Sequence, residues 1–392
     1  MEAKRDFAHS SNSGIRIKGT LMTEKILPGV LNVANLIADL VLGDVNEHLP
    51  LARIPRQGNV LGLGTTTNSD NGETVFIYHP EADSTEVYKC CAHDGGTVPI
   101  QPDDGNDNFP FVCFTDNQSG QGIRVDLDAI APPPGGRLTD WIKAGIDQLD
   151  LSEAPVYGLR VKTRWQSLVI TVASKLCMAQ SRRNDVSDAQ PAQSIYDSLQ
   201  HYYLGPSNQT TPEKMNYLGD SLEWSCCGFY DTEPHLGRIT VPEADAHLHI
   251  HGITPSTGLG GHLHYEHPNS ALIEISELWI HPIHQINYLS SDIAVCDVSY
   301  QSGVVKFLVK NQGELDVSDL SIDIVLDNKY SSRKYVRLPW LSAQSAQAFS
   351  INLEVSAGEH HLVIIADPNS NIIEPKSTQH NNRFEITISE PN

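Results

Sequence analysis

Apolar positions along this chain follow different periods in different stretches, and each period predicts an element. Residues 26–42 carry apolar side chains at mixed three- and four-residue spacing, with Pro28 and Gly29 near the start, which predicts a helix. Residues 60–78 read as two strands around a polar turn at 68–72, and residues 156–174 are β-branched and apolar enough for strands. A helix is predicted over 138–149, with Thr139 or Asp140 near its cap. Residues 101–108 and 132–136 are loops by composition. The segment 181–211 is polar, with a helix predicted over 192–203 that could cover part of a site.

From Asp292 the pattern changes to short β-rich runs separated by turns. Strands are predicted at 293–300, 304–310, 320–326, 348–355, 361–366 and 384–388, spaced as in a sandwich. The pattern therefore predicts a unit over 1–290 followed by a β-sandwich over 291–392, and motif resemblances within the two imply an α+β class with a mixed or antiparallel sheet for the first and an immunoglobulin-like fold for the second.

Composition narrows the function. Apolar residues make up 40% of the chain, enough for globular cores. With 27 basic against 48 acidic residues the formal charge is −21, which repels phosphate backbones and anionic membrane surfaces, so neither nucleic acid nor membrane is an expected partner. No secretory n-region and h-region pattern is present near the amino terminus, and no apolar run reaches membrane-spanning length, so a cytoplasmic location is expected. The seven cysteines lack a CxxC spacing, which argues against a disulfide framework or a structural zinc site.

The chemistry-bearing pattern is His249-Ile250-His251 followed by Gly260-Gly261-His262. Residues two apart on a strand share a face, so His249 and His251 converge, and the Gly-Gly pair lets the next strand bring His262 close. Three neutral imidazoles leave one position of a tetrahedral Zn2+ open, as in catalytic sites. A chance H-x-H among 17 histidines is the plainer alternative. His247, His264 and His267 stand nearby as surplus ligands or supporting donors.

This spacing resembles the acetolactate decarboxylase family, whose H-x-H is followed by ten residues and a Gly-Gly-His. Gly62-Leu63-Gly64-Thr65 with Gly72-Glu73, Phe109-Pro110-Phe111, and Tyr157-Gly158-Leu159-Arg160-Val161 with Trp165 resemble further family segments in the same order, over roughly residues 15–287. The resemblance implies a zinc-dependent carbon–carbon lyase acting on a small keto acid to give a hydroxyketone, with Glu73 in the acid position. A glutamate exposed beside a turn is the plainer account of Glu73. The family also places an arginine near the metal to hold the substrate carboxylate. Thr171 aligns with it, while Arg164 sits in a similar local string but too early. The family's second, carboxy-terminal glutamate has no assignable counterpart; Glu274 and Glu277 are expected on opposite faces of their strand.

Two other functions stay open: enolisation, rearrangement or cyclisation of another substrate at the same zinc site, and a non-catalytic ligand-binding or adhesion role. A homodimer is an open assembly state. The sandwich resembles the CARDB module at Lys310-Asn311-Gln312-Gly313, Leu341, Asp367-Pro368, Glu374 and Asn381-Asn382. Asp367, Glu374 and Asn381 read as solvated turn residues in preference to calcium ligands.

Overall fold

The computed structural model describes residues 29–41, 48–66, 71–91, 95–101, 108–109, 111–116, 122–131, 133, 136–151, 153–172, 201–204, 216–217, 222–242, 244–372, 374 and 378–391. These residues form mostly β-structure, with less helix than an α+β class implies. The reason lies in two stretches. Within 26–42 the described residues form the strand Gly29–Ala34 and only a short helix, Ile37–Val41. The strand lies inside the sheet, paired parallel with the Ala271–Leu289 strand and antiparallel with Phe111–Thr115, so partners on both sides override the helical spacing. In the predicted 192–203 helix, the described part belongs to the strand His201–Leu204, and the rest falls outside the described residues.

The predicted helix at 138–149 is present as Leu138–Gln148. Its apolar side, Leu138, Ile142 and Gly145, is buried. Arg137 is the cap residue, and Asp140 in the first turn pairs with its side chain at 3.2 Å.

Among the described residues, the strands of the amino-terminal unit assemble into one fourteen-stranded sheet, apart from the short pair Leu49–Pro50 and Asn108–Phe109. Its central member is the long strand Val156–Thr171. That strand pairs with Leu222–Asp231 on one side and Ala271–Leu289 on the other, and at its end with Leu259–Leu263. Strands Gly62–Thr65 and Asn71–His79 pack across this layer. One buried cluster gathers Phe76, Phe109, Phe111, Cys227 and Phe229; a second gathers Leu159, Val161, Trp165, Trp224, Cys226 and Ile250 under the Leu138–Gln148 helix.

After Leu289 a short link leads into two sheets, ordered Ile293–Gln301, Val304–Asn311, Ser345–Asn352 and Lys329–Leu341, Val317–Leu326, Gly358–Ala366, Arg383–Glu390. Ile293, Val305 and Phe307 of one sheet share a core with Leu320, Ile322, Leu362 and Ile388 of the other, consistent with an immunoglobulin-like sandwich. The strand Lys329–Leu341 is additional to the six predicted; its polar, largely exposed side chains carry no buried-strand signal. Asp367 and Glu374 are buried, contrary to the solvated reading. The Asp367 carboxylate accepts the amides of Asn371 and Ile372, and Glu374 accepts the amide of Ile293 and the Asn382 side-chain amide. Turn residues thus bracket the sandwich from inside.

The junction is packed. Leu315 of the sandwich is buried with the core of the first unit, the Asp316 amide donates to the His48 carbonyl at 3.0 Å, and Arg53 pairs with the Asp316 carboxylate at 3.3 Å.

Candidate metal centre

The hairpin Leu248–Thr254 and Leu259–Leu263 forms as predicted, and His251 stands directly opposite His262 in its register. His249 and His251 share a face because they are two apart on an extended strand. Ring centroids of His249 and His262 lie 4.7 Å apart, and those of His251 and His262 5.5 Å apart. One nitrogen from each of the three histidines falls within 4.8 Å of the others.

Hydrogen bonds fix which nitrogen faces the centre. His249 Nδ1 lies 2.5 Å from the Ile239 carbonyl, and His251 Nδ1 lies 2.7 Å from the Thr74 carbonyl. A carbonyl can only accept, so each Nδ1 carries a proton and donates it. Burial lowers the pKa of His249 to about 4 and that of His251 well below the usual histidine range, so both rings are neutral. Neutral rings protonated at Nδ1 carry a bare lone pair at Nε2. The two Nε2 atoms face each other at 3.1 Å. Two lone pairs at that separation repel unless a Lewis acid lies between them, and nitrogens bound to tetrahedral zinc stand roughly 3.3 Å apart. The donor set therefore fits a divalent ion favouring imidazole.

Glu73 is buried, with Oε2 3.4 Å from His251 Nε2. Its strand residue Thr74 is the one that orients His251, so the site ties the hairpin to the Gly-Glu segment. Phe111 stacks on His249 at 6.3 Å. His262 is only partly buried, leaving the centre approachable from its side.

A support came unread from the sequence. Arg238 grips Asp231 by two hydrogen bonds of 2.9 and 2.7 Å, with side chains 6% and 0% exposed. This pair pins the turn that presents the Ile239 carbonyl to His249. The sequence cue was weak: an arginine beside the apolar run before the hairpin.

The neighbouring histidines separate. His247 Nδ1 lies 2.7 Å from the Asp231 carbonyl and its ring stacks on Tyr230. The ring of His264 meets that of His262 at 4.7 Å. His267 accepts the Asn269 amide.

Arg164 is not brought to the histidines. Its Nη2 pairs with Glu274 at 2.7 Å on a largely exposed ribbon. Thr171, by contrast, stands opposite His262 in strand register. Glu274 and Glu277 pair with Arg164 and Lys162, which lie two apart on one strand and so share a face. A bulge between them, where Lys162 and Thr163 match Glu277 and Ile275, overturns the opposite-face expectation. Cys90, Cys113, Cys226 and Cys227 are buried thiols, and burial pushes Cys226 up to about 12.

Residues 292–386 match the CARDB family model. The chain is similar in structure to an acetolactate decarboxylase from Bacillus subtilis subspecies spizizenii, at 17% identity and TM-score 0.45, over 66% of this chain and 88% of that one. An alpha-acetolactate decarboxylase from Bacillus subtilis strain 168 gives 18% identity and TM-score 0.44 over the same shares. A CARDB domain from Pyrococcus furiosus, solved in complex with di-metal ions, gives 16% identity and TM-score 0.19 over 26% of this chain and 90% of that one. No curated protein matches. No helix among the described residues is long and apolar enough to cross a membrane.

Proposed function

We propose that the amino-terminal unit is a metal-dependent carbon–carbon lyase that decarboxylates a small α-hydroxy-β-keto acid of the acetolactate type to a hydroxyketone. The opposed, unprotonated Nε2 atoms of His249 and His251, with His262 beside them, carry this reading. They would hold the ion, with zinc the first choice. When bound, such an ion supplies Lewis acidity toward the hydroxyl and ketone oxygens of the substrate. Glu73, against His251, gives a proton to the carbon that carbon dioxide leaves. The partly buried side at His262 admits the substrate, and Phe111 shields His249 from water.

A second reading is enolisation or rearrangement of a different substrate at the same histidines. It is favoured by Arg164 being held by Glu274 while Thr171 faces His262 across the strands.

Acetoin formation from acetolactate by zinc-loaded full-length protein tests the first reading. Turnover that is lost in Glu73→Gln with zinc content unchanged supports it. Full zinc content with no acetoin rejects the decarboxylase in favour of the second reading, and failure to take up any divalent ion rejects both.

A further inference from the structure

Residues directly opposed on neighbouring strands share a face of the sheet. His251 opposes Cys227, Cys227 opposes Arg160, and Arg160 opposes Trp279, so one row crosses four strands on the histidine-bearing face. The adjacent row is Ser225, Lys162 and Glu277. At the Arg160 end of these rows lies a cavity of about 330 Å³ whose wall includes Asn59, Tyr78, Arg160, Lys162, Glu277 and Trp279. With Cys227 between, Arg160 stands two strand spacings from His251, roughly 10 Å.

Arg160 is unusual in its partners. Its Nε donates to the Asn59 side-chain oxygen at 2.6 Å, Nη1 to the Phe76 carbonyl at 2.9 Å and Nη2 to the Val60 carbonyl at 2.8 Å. Its guanidinium carbon also lies 5.6 Å from the centre of the Tyr78 ring. All of these partners are neutral, and among the described residues no carboxylate pairs with it. A guanidinium keeps its charge and has more donors than these three acceptors use. Burial disfavours that charge, which a carboxylate would offset. Lys162 lies 3.1 Å from Glu277, whose other oxygen accepts the Trp279 ring N–H at 2.6 Å. Arg160 and Lys162 against Glu277 leave the cavity net positive, on a chain whose formal charge is −21.

We propose that this cavity is a second ligand site, separate from the histidines, for a small planar monocarboxylate. The carboxylate lies toward Arg160 and Lys162, and the flat body lies against Tyr78 and Trp279. Its size is at the lower end for small-molecule sites, which suits one ring.

Calorimetric titration of the full chain with benzoate, and with benzamide as its neutral isostere, tests this. Benzoate is expected to bind once per chain with Kd below about 1 mM, weakening as salt rises, and benzamide at least roughly tenfold more weakly. Lys162→Gln should weaken benzoate several-fold and Glu277→Gln should tighten it; both positions are partly exposed, so folding is retained, whereas Arg160→Met would remove three hydrogen bonds to neighbouring strands and loops. His249→Ala and chelated protein should bind benzoate as wild type does. Absence of benzoate binding, equal binding of benzamide, indifference to both charge changes, or loss of binding in His249→Ala would each overturn the proposal.

Discussion

Thr171 and His262 are direct cross-strand partners, at the point where the end of the long central strand meets the histidine hairpin. Thr171, the residue that the sequence resemblance matches to the family's arginine, thus stands in register with one of the three histidines. Arg164, earlier on the same strand, is spent on an exposed pair with Glu274. Arg164→Lys is therefore expected to change kcat/KM for acetolactate by less than about twofold, since this side chain pairs with Glu274 and not with the histidines. Thr171→Arg is expected to lower KM for an anionic substrate. Steady-state acetoin assays on the two variants check both, and a large loss in Arg164→Lys would return that residue to the site.

Removing any one of His249, His251 and His262 deletes a donor from a three-nitrogen set. Each alanine variant should bind zinc at least roughly a hundredfold more weakly, beyond what loss of an outer supporting group costs. Metal analysis after dialysis reads this out. Full zinc retention in all three variants would show that the ion binds elsewhere.

How far the sequence carried the site follows from which contacts are local. The histidine set was legible because its geometry is a strand period plus a hairpin, both local properties. Glu73 was reached through the Gly-Glu segment, although its contact with His251 is long-range. The Arg238–Asp231 grip and the Thr74 carbonyl depend on how layers stack, which no periodicity encodes. The bulge near Ser276 also escaped: one extra residue reverses every facing argument beyond it. The strand Gly29–Ala34 reads as helix because its alternation, with Leu31 and Val33 buried and Val30 and Asn32 half-buried, spans too few residues to outweigh the three- and four-residue spacing that runs on through Ile37–Val41.

Arg238 and Asp231 form a buried pair, and loss of the arginine leaves the Asp231 carboxylate buried without an opposite charge, held by the Glu233 amide. Arg238→Met should destabilise the protein by about 3–5 kcal/mol, while the double change Arg238→Met with Asp231→Leu should recover part of it. Because the pair holds the Ile239 carbonyl against His249, the single variant should also bind zinc about tenfold more weakly. Denaturant unfolding and competitive chelation measure the two effects. A destabilised variant with unchanged zinc affinity would confine the pair to a structural role.

The neutral state of His249 gives the metal-free protein a pH signature. Its folded pKa of about 4 lies below the ordinary histidine value of 6.5, so between these values the unfolded chain binds more protons. The contribution is fully present above about pH 6.5 and lost as pH falls through about 4, on the order of 3 kcal/mol in all. Thermal melts of chelated wild type should fall more steeply over that interval than those of His249→Gln. Parallel curves would show that His249 does not drive the loss.

The 16-residue strand Val156–Thr171 carries Arg160 near one end and Thr171 at the other. Cavity wall and histidine neighbour are thus marks on a single ruler. An insertion in a connecting loop leaves that ruler intact, whereas one residue added between Arg160 and Thr171 turns one of them to the opposite side of the sheet. Evolution, or an engineer, can therefore lengthen the surrounding loops freely but must change these two pockets by substitution alone.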